Sequence, residues 1–120
     1  METIPKKAES VVSLVGNSKF FNVEFVKRTT GEVRNMTCRR GVKKFLHGGT
    51  IGYNPEKKNL ITVWEPDARG KNGPNDEGYR CISVNGIQRI TFNNRVFVSK
   101  GDFLVEQVWS ISVMIINNND

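Results

Sequence analysis

The stretch that decides the fold is Phe20-Phe21-Asn22-Val23-Glu24-Phe25-Val26-Lys27-Arg28, then Thr29-Thr30-Gly31-Glu32, then Val33-Arg34-Asn35-Met36-Thr37-Cys38. Phe21, Val23 and Phe25 fall on one side of an extended chain, and Asn22, Glu24 and Val26 fall on the other. A period of two carried by aromatic and β-branched residues predicts a half-buried strand. Gly31 stands where a turn needs a positive φ, so Val33–Cys38 is expected to return as the second strand of a hairpin.

On the C-terminal side the same pattern recurs. Residues 53–59 read as a tight turn before a strand over Leu60–Glu65, with Ile61 and Val63 on one face. Tyr79–Val84 alternates again, and Asn85-Gly86 is a strong turn signal. Residues 86–92 follow, then a turn at Asn93-Asn94, a strand over 95–99 and a turn at Lys100-Gly101-Asp102. Residues 103–116 are apolar with mixed period, and a strand over Ser110–Ile116 is expected there. Between the third and fourth of these strands, Pro66–Gly78 is a long polar loop, expected to be solvent-exposed. On the N-terminal side, Ala8–Val15 reads as a short helix or a first strand closed by Gly16-Asn17-Ser18, and residues 1–7 as a loose polar arm.

Five to seven short antiparallel strands at about ten-residue spacing, with at most one or two short helices, predict a mainly-β fold. The natural solution at this length is a small SH3-like or Sm-like barrel, with an OB-fold as the competing topology. The expected division is an N-terminal arm over 1–19 with a possible short helix, a single β-barrel domain over 20–116 and a loose tail over 117–120. The chain has 120 residues, 38% of them hydrophobic and 25% charged, which suits one domain with a modest core. Val11–Val15 is too short for a signal-peptide core, and the apolar run 108–116 is interrupted by Ser110 and Ser112, so a cytoplasmic protein with no membrane partner is expected. Cys38 and Cys81 could lie close enough for a bridge. The simpler reading makes both small buried apolar residues in a reducing cell.

Charge is concentrated. The net charge is +6, and residues 27–44 hold seven basic side chains against Glu32 alone, which by itself sums to +6. Arg39, Arg40, Lys43 and Lys44 are spaced to share one helical face while Val42, Phe45 and Leu46 turn inward. With Lys27, Arg28 and Arg34 they would neutralise the phosphates of DNA or RNA, and Tyr53, Trp64 and Tyr79 are candidates for stacking bases. The alternative partner is a protein complex, engaged through the basic patch together with Trp109 and the 108–116 run. That run could equally close the barrel or form a homodimer edge.

Catalysis has little support. His47 is the single histidine and sits beside two glycines, more a loop or helix-end residue than a general base. Metal-ligand spacings and the phosphate-cradle glycine order are missing. Asp67, Asp76 and Glu77 could meet over a cation, but a solvated loop is the simpler account. The sequence therefore predicts a non-catalytic binding module with no cofactor and no metal.

A resemblance adds to this. The run Asn35–Gly49 (NMTCRRGVKKFLHGG), then Gly52-Tyr53-Asn54-Pro55, the LITVW strand, Gly78–Val84 and Gly86–Ile90 resemble small uncharacterised proteins of tailed bacteriophages described as SH3-like β-barrels. The likeness spans about residues 20–97. It implies a barrel, a phage origin and, for the protein-binding alternative, inhibition of a host defence or transcription complex inside an infected bacterium. More distantly the chain is similar to the strand pair of WYL domains, which implies ligand or nucleic-acid sensing, but Thr62-Val63-Trp64 stands where the Trp-Tyr-Leu motif falls.

Overall fold

A computed structural model describes residues 2–17, 19–41 and 55–107. Within them the chain is mainly β, with eight strands and one α-helix. The strands are β1 (Thr3–Pro5), β2 (Phe21–Val26), β3 (Val33–Cys38), β4 (Leu60–Trp64), β5 (Tyr79–Ser83), β6 (Ile87–Phe92), β7 (Arg95–Lys100) and β8 (Phe103–Gln107), and the helix is α1 (Ala8–Val15).

Six strands form one antiparallel sheet in the order β1-β8-β7-β6-β2-β3, and β4 and β5 form a second, two-stranded sheet. Among the described residues an isolated antiparallel bridge, Arg39 to Trp64, joins the two. Each residue donates its backbone N–H to the other's carbonyl, at 3.1 and 2.8 Å. A closed barrel is not formed by the described residues.

The hairpin expected over 20–38 is present as β2 and β3, in register from Phe21 opposite Cys38 to Val26 opposite Val33. Phe21, Val23 and Phe25 are buried, as the alternation predicts. Gly31 has φ 75°, and its N–H donates to the Lys27 carbonyl, closing the turn. The Asn93-Asn94 turn also stands: φ values of 52° and 64° give the left-handed pair that joins β6 to β7 with the twist of the strands.

Asn85-Gly86 acts differently from a hairpin turn. β5 pairs with β4, whereas β6 pairs with β2 and β7, so residues 84–86 form a 3-10 turn that carries the chain from one sheet to the other. The glycine is needed because the chain crosses the end of β2: a Cβ on Gly86 would lie 2.7 Å from the Val26 carbonyl oxygen. The segment expected to be a loose arm carries a strand instead, since β1 pairs with β8 with Thr3 opposite Val105. Ala8–Val15 resolves to the helical alternative. Ala8, Val11 and Val15 point into the core at near-helical spacing. Its first turn is capped from outside, with Ala8 N–H donating to Asn59 Oδ1 at 2.7 Å. Asn59 Nδ2 donates in turn to the Lys6 carbonyl and to Asn85 Oδ1, so one amide ties the start of the helix to both sheets.

One hydrophobic cluster links all these elements, running from Ile4 and Val11 through Val23, Ile61, Ile82 and Ile90 to Phe97 and Leu104. The 66–78 loop is better ordered than its polarity implies. Pro66–Ala68 form a 3-10 turn, and Ala68 is fully buried. Asp76 then gathers the rest, accepting the N–H groups of Asn72 and Gly78 and two bonds from the Arg80 guanidinium, both 2.8 Å. Among the described residues no helix is long and apolar enough to cross a membrane. The expected helix over 39–49 and the strand over 110–116 fall mostly or wholly outside the described residues; within the former, Arg39 is extended in its bridge to Trp64 and Arg40 lies in a bend.

Candidate nucleic-acid interface

The basic segment is one cluster in sequence and two in space. Arg34 lies near one end of β3 and Arg39 just beyond the other, about 17 Å apart at the usual strand rise. Lys27 and Arg28 join Arg34 at the hairpin end, while Arg39 and Arg40 stand at the junction of the two sheets. Lys43, Lys44 and Tyr53 lie outside the described residues, as do His47 and Trp109.

At the junction, Arg39 is packed rather than presented. Its guanidinium carbon lies 5.5 Å from the Phe20 ring centre and 5.7 Å from that of Trp64, a cation–π arrangement that ties the two sheets together. Arg40 donates to Asn17 Oδ1 at 3.1 Å. Trp64 is only 8% exposed, and its Nε1–H donates to the Glu77 carbonyl, so this ring does not serve as the base-stacking platform expected of it. The aromatic side chain that is exposed here is Phe20, at 47%. Sequence reading passed over it as part of the strand, although as the residue before Phe21 it falls on the outer face by simple alternation. Tyr79 is half-buried opposite Trp64.

The hairpin end is different. Between the β2–β3 hairpin and the β4–β5 sheet lies a cleft of about 430 Å³, lined by Lys27, Arg28, Arg34 and Arg80 together with the apolar residues Phe25, Met36 and Leu60. Two of its cations are already compensated. Arg34 pairs with Glu65, which is buried, and Arg80 is held by both oxygens of Asp76. The Arg80 bond holds the Asp76 carboxyl well below the usual carboxylate range. Lys27 and Arg28 have no acidic partner among the described residues, so the cleft carries their charge uncompensated. Arg80 was not singled out from sequence, because nothing local brings strand β5 beside residues 27–34; only the fold does so.

Cys81 also lines the cleft. Burial pushes its thiol pKa up, against a hydrogen bond with Thr62 and the nearby Arg28 charge. Cys38 is buried, with its pKa pushed up to about 12 by burial and then by Glu65. The two cysteines are free, and Cys81 is exposed rather than buried. Asp67, Asp76 and Glu77 do not gather as cation ligands: Asp76 holds Arg80, and Glu77 lies 3.6 Å from Arg69. A second hollow, of about 560 Å³ beside Lys6, Lys7 and Lys57, opens at the start of α1. The backbone N–H of Ala8 there is already taken by Asn59.

No protein-family model, curated protein or solved structure matches the chain.

Proposed function

We propose that the protein is a non-catalytic module that binds the phosphate backbone of nucleic acid in the cleft between the β2–β3 hairpin and the β4–β5 sheet. The observation that carries this is the charge pattern: Lys27 and Arg28 have no acidic partner among the described residues, and stand beside two arginines fixed in place by Glu65 and Asp76. Fixed guanidinium groups offer directed donors, while the free pair supplies the net positive potential that attracts a polyanion. The Arg39–Trp64 bridge supports reading the two sheets as a small, partly open barrel of the SH3-like kind, in keeping with a phage-type protein acting in the cytoplasm of its host.

The test is fluorescence anisotropy of labelled DNA and RNA, titrated at low and near-physiological salt. Affinity that falls linearly in log salt is the expected result. Absence of binding at low salt overturns the reading and leaves the alternative, capture of a host protein complex, as the one to pursue. That alternative draws on Trp109 and the 108–116 run, which lie outside the described residues.

A further inference from the structure

Phosphate binding accounts for the rim of the cleft but not for its floor. A site that touches only phosphates needs a charged, hydrated surface, yet here half-buried Leu60 and the buried, inward-facing Phe25 and Met36 line the hollow. The volume of about 430 Å³ falls within the range of small-molecule sites, which typically span about 300–1,000 Å³ and combine apolar walls with a few placed polar groups. The placed groups are present. Arg34 is held by Glu65, so its guanidinium offers a stationary flat surface on which a ring can stack. Asn72 stands on the wall because its backbone N–H is bound to Asp76 Oδ2 at 3.2 Å, and its amide carries both a donor and an acceptor.

We infer that the cleft takes an unpaired base, its ring between the apolar floor and the Arg34 guanidinium and its phosphate at Lys27 and Arg28, so that the ligand is single-stranded nucleic acid. This rests on the phosphate reading above and narrows it. A duplex keeps its bases stacked inside and can offer the cleft only its outer phosphates, leaving the floor uncovered. A single strand can turn one base inward at the cost of stacking that it holds only loosely.

The experiment compares three labelled ligands on the intact protein: a short single-stranded oligonucleotide, a chain of the same length with every base replaced by an abasic spacer, and a blunt duplex. The base-bearing single strand binds tightest, and removing its bases weakens binding by about five- to a hundredfold, the usual worth of one stacked base. Leu60→Ser weakens binding of the base-bearing strand while leaving the abasic chain as it binds to the unmodified protein, which also shows that the variant is folded. If the abasic chain or the duplex binds as tightly as the base-bearing strand, and Lys27→Ser/Arg28→Ser abolishes that binding, the base-insertion inference fails while the phosphate reading stands. If none of the three ligands binds at low salt, the phosphate reading fails and the inference with it.

Discussion

Replacing Lys27 and Arg28 together by serine is expected to remove the salt dependence of nucleic-acid binding without loosening the fold. The magnitude follows from the charge pattern of the cleft. Arg34 and Arg80 spend their charge on Glu65 and Asp76, which leaves Lys27 and Arg28 to displace counterions from the ligand. Each phosphate neutralised on a single strand contributes about −0.7 to the slope of log affinity against log salt, so two give about −1.4. A fourfold rise in salt therefore weakens the unmodified protein about sevenfold and the double variant hardly at all. Arg39→Ser makes the opposite change. Its guanidinium faces Phe20 and Trp64, and two such contacts at about 0.5–1 kcal/mol each set an expected stability loss of about 1–2 kcal/mol, with the slope retained. The assays are anisotropy across a salt series and urea denaturation of the same samples. A flattened slope in Arg39→Ser, with the double variant still salt-sensitive, refutes the assignment of the cleft as the phosphate surface.

Other expectations concern the frame that holds the cleft. Asp76→Asn leaves Arg80 without its charged partner and weakens the bonds to Asn72 and Gly78; hydrogen exchange over residues 69–78 is expected to accelerate, with a lower melting temperature. Gly78→Ala places a Cβ 2.7 Å from the Glu65 carbonyl oxygen at a φ of 95°, and is expected to cost about 1–3 kcal/mol in denaturant titration. Glu106 has its pKa lowered from 4.5 to about 2, chiefly by its bonds from Arg95. Because the folded value lies below the unfolded one, this pair stabilises fully above pH 4.5, and its contribution is lost as pH falls toward about 2. Melting temperature followed through that window is expected to drop more for the unmodified protein than for Arg95→Gln.

The strands were legible where one face is buried and the other wet, because burial writes its period directly into residues such as Phe21, Val23 and Phe25. Turns were legible where a left-handed backbone demands a special residue, as at Gly31 and Asn93-Asn94. What could not be read was which strand meets which. Asn85-Gly86 looks like a hairpin turn because the same pair of residues suits any tight reversal; that it lets the chain pass Val26 depends on a neighbour far away in sequence. The pairing of β1 with β8 has no local signature for the same reason, and the polar residues around Ile4 concealed an edge strand in which it is the buried side chain. The candidate site divides along this line. Lys27, Arg28 and Arg34 could be picked out because they are basic and close in sequence. Arg80, Asn72 and the acids that neutralise half the cleft come from elsewhere in the chain. Trp64 was misjudged because an aromatic at the end of a strand reads alike whether its ring faces solvent or a stacked arginine.

The pairing of β1 with β8 also bears on how the chain is made. Thr3 meets Val105, so the first strand waits for about a hundred residues to be added, which at about 5–20 residues per second takes about 5–20 s on the ribosome. Throughout that interval Ile4 lacks its β8 neighbour Leu104, beside which it is buried in the finished fold. The β2–β3 hairpin is a local pairing that can form early, whereas the sheet that contains it is complete only when β1 and β8, about a hundred residues apart, have met. Such distant pairing slows folding through the entropy of closing so long a loop.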